Sequence, residues 1–157
     1  KLMQRRYNTQ LYKDKISLIK QWIPDACIGV DVIVGSPGET EAYFKESMEF
    51  IHALDISYLH VFTYSERAAT KALDIKPVVP ISVRQERNKI LRNLSYQKEQ
   101  YFKAQHIGAT RKVLFESIKQ KDPKDIPLLE GYTDNYIRIT TPYRAEWSNQ
   151  IVDWTIA

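Results

Sequence analysis

Apolar residues run almost without a break from Cys27 to Val34, after which the chain breaks on Gly35, Pro37 and Gly38 and restarts at Thr40. A near-continuous apolar run is the habit of a strand buried on both faces of a parallel sheet. Thr40 is a good helix N-cap, so the stretch parses as strand, loop and helix. Period two separates the two faces of the strand. Ile28, Val30, Val32 and Val34 form an apolar row suited to packing under helices, while Cys27, Gly29, Asp31, Ile33 and Gly35 face the other way. A row of one acid, one apolar residue and glycines looks more like the lining of a site than a core layer. In α/β folds ligands gather at the carboxyl ends of strands, where this loop sits.

The flanking pattern predicts the neighbouring elements. Tyr12, Ile16, Ile19 and Ile23 fall at helical spacing after an opening near Asn8 or Thr9, and Pro24 closes that segment. Phe44, Met48, Ile51 and Leu54 give a helix over 41–54 with one core stripe. A strand over 57–64 alternates Leu59, Val61 and Thr63 with Tyr58, His60, Phe62 and Tyr64. Strand, helix and strand with short links make a right-handed crossover of a parallel sheet. Lys76-Pro77-Val78-Val79-Pro80 reads as a stiff linker and a domain boundary. Ser82, with Gln85 three positions on, forms a capping box for a long helix. That helix buries Val83, Ile90, Leu91, Leu94, Tyr101 and Phe102, carries most of its basic residues on the opposite side and ends at Gly108. Short strands follow at 111–115, 131–133, 135–140 and 151–156, with a polar loop at 119–127 and Asp134-Asn135 in a tight turn. They suggest a small β-barrel, cut short where the chain stops after the last strand.

The expected organisation of the 157 residues is therefore α/β over 1–75, linker and connecting helix over 76–107, and a β-barrel over 108–157. No apolar run approaches a membrane span, so no membrane partner is expected. The first residue is Lys1 rather than Met, which suggests an excerpt from a longer polypeptide. A single cysteine, Cys27, argues against a disulfide framework, suits a reducing cytoplasm and leaves too few thiolates for a cysteine-ligated cluster. Its ordinary reading is a small buried residue. Net charge is only +4, but residues 76–121 hold eleven Lys or Arg against three acids, so that block is +8 and the remainder −4. Such a block fits either a polyanionic partner or a solvated helix face.

Several side chains stand out chemically. Arg5 and Arg6 lead into the first helix, where adjacent guanidinium forks either bind a carboxylate or phosphate or sit in solvent. His60, alone on an aromatic strand face, reads as a hydrogen-bonded core residue. Tyr64 and Arg67 lie at a strand's carboxyl end and are better placed to meet a ligand. Tyr132, Tyr136 and Arg138, with Lys112, combine flat faces and positive charge, the pairing that single-stranded RNA binding uses. Tyrosines at strand positions are equally ordinary packing residues.

Asp31-Val32-Ile33-Val34-Gly35-Ser36-Pro37-Gly38-Glu39-Thr40 resembles the corresponding strand and loop of radical S-adenosylmethionine methylthiotransferases, with Ser36 where that family usually has Phe. Tyr58 to Arg67, with Thr70 and Ala72 following, resembles its next strand, though Arg67-Ala68-Ala69-Thr70 replaces the usual Arg-Pro-Gly-Thr. Leu129 to Arg138 resembles its RNA-binding TRAM domain, and Gly131-Tyr132-Thr133-Asp134-Asn135-Tyr136 is most like the branch that modifies N6-threonylcarbamoyladenosine beside the anticodon. The resemblance implies the last strands of an open parallel β/α barrel, a connecting helix and an OB-like barrel, joined to an N-terminal remainder of the same polypeptide. It implies an enzyme that adds a methylthio group to tRNA by using S-adenosylmethionine and four-iron four-sulfur clusters. The cluster motif C-x-x-x-C-x-x-C is absent from these residues, so the chain alone is expected to hold no cofactor and to be inactive. On this reading Asp31, Ile33, Gly35, Gly38, Glu39 and Tyr64 hold S-adenosylmethionine. Ile33 lies against adenine, the two glycines permit close approach, and Glu39 stabilises the loop or accepts from a cofactor hydroxyl. Arg5, Arg6, Arg67, Lys112, Tyr132, Tyr136 and Arg138 meet tRNA. Two rivals are a non-enzymatic RNA-binding module and a relative acting on isopentenyladenosine or a ribosomal protein.

Overall fold

A computed structural model describes residues 8–68, 70–120, 122 and 124–157. Arg5 and Arg6 lie outside the described residues. The chain divides into two compact units, one ending at Tyr101 and the other running Phe102–Ala157. Parallel and antiparallel sheets both occur, so the mixed α/β class holds.

The first unit contains α1 (Thr9–Trp22), β1 (Gly29–Val34), α2 (Glu41–Ala53), β2 (Tyr58–Thr63) and most of α3 (Ile81–Ala104). β1 and β2 pair in parallel from Gly29 opposite Tyr58 to Val34 opposite Thr63, with α2 as the crossover. The caps at the starts of α1 and α2 are made. Asn8 Oδ1 accepts the Leu11 amide at 2.8 Å, and Thr40 Oγ1 accepts the Tyr43 amide at 3.2 Å. The face assignment of β1 also holds. Val30 and Val34 are buried in one core with Ile16, Phe44, Ile51, Leu54, Leu59, Leu91 and Leu94, whereas Gly29, Asp31 and Ile33 are exposed.

Several expectations fail for physical reasons. In α1 only Ile16 is buried, with Tyr12 packed against the same core; Ile19 and Ile23 are exposed, so the spacing is helical but half of the stripe meets no core. α3 begins at Ile81, and the Pro80 carbonyl accepts the Arg84 amide, which puts Ser82 inside the first turn instead of at the cap. The inward positions of α3 include Arg84, Arg87, Leu91, Leu94 and Phe102, whereas Ile90 and Tyr101 are exposed. Basic residues therefore occupy part of the side assigned to apolar ones. Segment 76–80 is no free spacer: the Pro77 carbonyl accepts the Gly38 amide at 2.8 Å, and Val79 is buried.

α3 also seals the outer edge of β2. Ser95 Oγ accepts the Leu59 amide at 2.8 Å and donates to the Leu59 carbonyl at 3.0 Å, and Asn88 reaches the Val61 carbonyl. Unpaired strand edges invite further strands, and side-chain partners remove that template.

The second unit is a four-stranded antiparallel sheet of β3 (Thr110–Lys119), β4 (Leu128–Thr133), β5 (Arg138–Pro142) and β6 (Ile151–Thr155), in order β5-β4-β3-β6. Val113, Phe115 and Leu129 are fully buried. Phe115 stacks on Trp147 at 6.0 Å between centroids and meets Trp154 edge-on at 5.7 Å. Gly131 sits where a Cβ would come within 2.3 Å of the Leu114 carbonyl oxygen, so any other residue there would force β3 and β4 apart. β5 starts at Arg138, three residues later than the expected strand at 135–140. Asn135 is buried in side-chain hydrogen bonds, and Tyr136 takes a left-handed backbone (φ 68°) that no strand can contain.

Candidate cofactor and nucleic-acid sites

In the first unit the open face of the parallel pair carries Gly29, Asp31 and Ile33 beside Tyr58, His60 and Phe62, residue opposite residue. Ile33 is 50% exposed and Phe62 is 53% exposed, so two apolar side chains share a shelf at the carboxyl end of the strands. His60 is exposed and packs edge-on against Tyr58 at 5.0 Å; it is not the core residue expected of it. At Gly29 a Cβ would lie 2.5 Å from the Tyr58 ring, which would have to move aside for any larger residue.

Above the shelf, the loop from Gly35 to Glu39 is held rigidly from within. Both Glu39 carboxylate oxygens lie 3.1 Å from the Gly35 amide, and Oε1 also accepts Arg87 Nη1 at 2.7 Å. Arg87 Nη2 reaches Glu41 at 2.8 Å, and its guanidinium lies 4.9 Å from the centre of the Phe44 ring. Burial by itself pulls the Arg87 pKa down, but the Glu41 and Glu39 carboxylates outweigh it and the net shift is upward. Glu39 thus ties the first residue of the loop to α3.

Arg84 forms the other half of the clamp. Its Nε donates to the Val79 carbonyl at 2.7 Å, Nη1 to the Tyr64 carbonyl at 3.2 Å, and Nη2 binds Glu66. Bonding to Arg84 holds the Glu66 carboxyl below its ordinary value. The aliphatic part of Arg84 covers Gly35, where φ is 77° and a Cβ would fall 2.3 Å from Cγ. At Gly38 (φ 83°) a Cβ would fall 3.1 Å from Ile75 Cγ2. The close approach that these glycines permit is therefore filled by the protein's own side chains. Tyr64 closes the group, its amide donating to the Val34 carbonyl at 2.9 Å. Ile33, Gly35, Gly38, Glu39 and Tyr64 lie at or just beyond the carboxyl ends of β1 and β2, whereas Asp31 stands in the middle of β1 opposite His60, and Arg67 is exposed in the segment beyond Tyr64. A separate cleft of about 330 Å³ runs along the outer edge of β2, lined by His60, Arg92, Tyr96 and Glu99 among others; it includes none of those six.

In the second unit the exposed sheet face carries a row across the strands: Ile151, Leu114, Tyr132 and Arg138 are successive cross-strand partners. Tyr136 folds back from the turn after β4 and stacks on Tyr132 with centroids 4.8 Å apart and planes 24° off parallel. Lys112 lies on the same face of β3 as Leu114 and pairs with Asp153 at 3.2 Å, both side chains being 69% exposed. Among described residues, three of the four candidates here form one surface and the fourth, Lys112, lies beside it.

No family model matches the chain. It is 37% identical over 140 residues to the threonylcarbamoyladenosine tRNA methylthiotransferase of Aquifex aeolicus, which covers 88% of this chain and 31% of that protein. The enzyme of the same description from Bacillus subtilis is 34% identical over 88% of the chain. The tRNA-2-methylthio-N(6)-dimethylallyladenosine synthase of Pseudomonas aeruginosa (strain UCBPP-PA14) is 33% identical over 85% of the chain and 29% of its own length. The chain belongs to the methylthiotransferase family. It spans about three tenths of the length of these relatives.

Within this chain, Arg84 and Arg87 are the residues that sequence reasoning misplaces. They were counted in the basic block, yet both are buried and bound to acids of their own unit. Lys98 likewise turns inward, donating to the His52 and Leu54 carbonyls at the end of α2, and burial lowers its pKa. The available signal was spacing: 84, 87, 91, 94, 98 and 102 form one helical stripe that includes the apolar positions.

Proposed function

We propose that this chain is the part of a radical S-adenosylmethionine tRNA methylthiotransferase that holds one side of S-adenosylmethionine and contacts tRNA. In this proposal the parallel pair and its helices are the end of an open β/α barrel, and the antiparallel sheet belongs to an OB-like TRAM domain. The observation that carries it is the half-exposed Ile33 and Phe62 shelf beneath a clamped glycine loop, in a chain with methylthiotransferase relatives. A flat apolar ring fits on such a shelf, and the adenine of S-adenosylmethionine is one. When bound, that cofactor supplies the radical that activates a C–H bond of the modified adenosine.

The iron–sulfur cluster does not fit these residues. Cys27 is the single cysteine and is half-buried, and burial raises its thiol pKa, away from the thiolate that a cluster needs. The cluster's ligands are therefore assigned to the remainder of the polypeptide. This chain's own contribution is binding and orientation. Ile33 and Phe62 bear on the ring, and Arg87 and Arg84 keep the loop from moving. The proposed site of action is the cytoplasm, as for a protein acting on tRNA. Among described residues no helix is long and apolar enough to cross a membrane.

The proposed substrate is tRNA carrying N6-threonylcarbamoyladenosine, in keeping with the Aquifex and Bacillus relatives. The test is nucleoside analysis of tRNA from cells lacking the protein. Loss of the methylthio group from threonylcarbamoyladenosine is expected. Loss from dimethylallyladenosine would instead match the Pseudomonas relative, and unchanged nucleosides would leave a non-enzymatic RNA-binding module.

A further inference from the structure

Beneath the stacked tyrosines of the second unit runs a buried chain of hydrogen bonds. The Ile137 amide donates to Thr133 Oγ1 at 2.8 Å, the Thr133 hydroxyl donates to Asn135 Oδ1 at 2.7 Å, and Asn135 Nδ2 lies 3.1 Å from His106 Nε2. All three side chains are less than a tenth exposed. The direction of the chain follows from the Asn135 amide oxygen. Thr133 Oγ1 accepts the Ile137 amide with one lone pair; Asn135 Oδ1 can only accept, so the threonine hydroxyl donates to it, and the Asn135 NH₂ is left to face His106 Nε2. This chain closes the turn from Thr133 to Ile137, which also holds Tyr136 N to the Thr133 carbonyl at 2.9 Å. Tyr136 sits in that turn at φ 68°, a backbone uncommon for a tyrosine that persists where the surroundings over-determine it. The outcome is a ring placed on Tyr132, with Tyr136 63% exposed.

We infer that Thr133, Asn135 and His106 are positioning residues for RNA: they fix Tyr136 on Tyr132 as a preformed ledge on which one unpaired base stacks. The inference rests on reading this face as RNA-binding and adds a defined subsite to it. The ligand is a single unstacked nucleobase of any identity, because stacking uses the π face that every base has. Arg138, the cross-strand partner of Tyr132, supplies positive charge for the neighbouring phosphate. An aromatic ring already held in place loses little freedom when a base arrives, so preorganisation appears directly in affinity.

The test titrates a single-stranded oligouridylate into the protein at several salt concentrations. Thr133→Val keeps the shape of threonine but removes its hydroxyl, leaving the Ile137 amide and the Asn135 oxygen without their partner; Thr133→Ser restores it. Thr133→Val is expected to weaken binding by about two- to tenfold, the cost of ordering one more side chain on association. Its salt slope should stay that of the wild type, and Thr133→Ser should bind as the wild type does. If Thr133→Val does not fold, His106→Leu, at the far end of the chain, is read in its place with the same expected loss. A folded Thr133→Val or His106→Leu with wild-type affinity overturns the positioning role. Tyr136→Ala separates the two levels: it should weaken binding by about fivefold to a hundredfold. Unchanged affinity in Tyr136→Ala overturns the reading of this face as RNA-binding altogether.

Discussion

Arg87 Nη1 lies 2.7 Å from Glu39 Oε1, and the same carboxylate accepts the Gly35 amide through both oxygens. One buried guanidinium on α3 therefore reaches, through one carboxylate, the first residue of the loop after β1. Arg87→Met keeps much of the side-chain bulk but leaves Glu39 in a partly buried position without its cation. Removing one member of such a pair is expected to cost about 3 kcal/mol, the low end for buried pairs because Glu39 retains some exposure and the Gly35 bond. Glu41, 80% exposed, should matter far less, with Glu41→Ala costing under about 1 kcal/mol. Urea unfolding of the two variants checks the order. If Arg87 were instead a phosphate contact, Arg87→Met would keep its stability and flatten the salt dependence of RNA binding.

The two loop glycines should differ. Gly35→Ala combines a left-handed backbone with a Cβ 2.3 Å from Arg84 Cγ, so strain and displacement of the clamp add together. Gly38→Ala has a similar φ, but its nearest neighbour is the Ile75 methyl at 3.1 Å, which gives way with a small shift. A destabilisation of about 1–2 kcal/mol is expected at Gly38 and more at Gly35. Thermal unfolding with both variants in one buffer measures the difference, and equal melting temperatures would count against the clamp.

Ile33→Asp, placed in the full-length enzyme, tests the shelf. Ile33 is half-exposed, so the fold should lose no more than about 0.5 kcal/mol. Affinity for S-adenosylmethionine should fall by about 1.5 kcal/mol or more, from lost apolar contact and a carboxylate placed against the ring. Equilibrium dialysis of the cofactor, beside an unfolding curve, reads both quantities. A folded variant with unchanged cofactor affinity would mean that the ring lies elsewhere.

On the sheet face of the second unit, Lys112 is held by Asp153 in a pair of equally exposed side chains. Pairs of that kind are worth about 0–1 kcal/mol, so a phosphate displaces the carboxylate with little penalty. Lys112→Ala should flatten the plot of log affinity against log salt by roughly 0.7–0.9. Asp153→Ala should tighten tRNA binding, most visibly at low salt. Salt titrations of both variants decide it: no change in either slope or affinity would remove Lys112 from the interface.

The β1 strand was legible because period two is strict there: Val30 and Val34 are buried and Asp31 and Ile33 exposed, as alternation requires. The loop after it was legible as glycine-dependent, but the reason for glycine was not. It lies in the Arg84 side chain, about fifty positions away, and only tertiary structure brings that side chain onto Gly35. Arg84 and Arg87 were misread because charge is normally solvated, and a buried cation is recognised by its partners, which sequence does not display. Tyr136 was read as a strand residue because tyrosine favours strands. The Thr133 and Asn135 side chains, bonding to the turn and to His106, override that preference.

Ser95 and Asn88 give the parallel pair a handed growth rule. With the Leu59 amide and carbonyl and the Val61 carbonyl already bonded by α3, the edge of β2 is a poor template for a further strand, and growth is favoured along β1. A strand that pairs with this unit is therefore steered to one side, and the same two side chains obstruct that margin for a second copy seeking to dock edge to edge. Ser95→Ala would leave the Leu59 amide and carbonyl without their partner while α3 and Asn88 still lie along that margin.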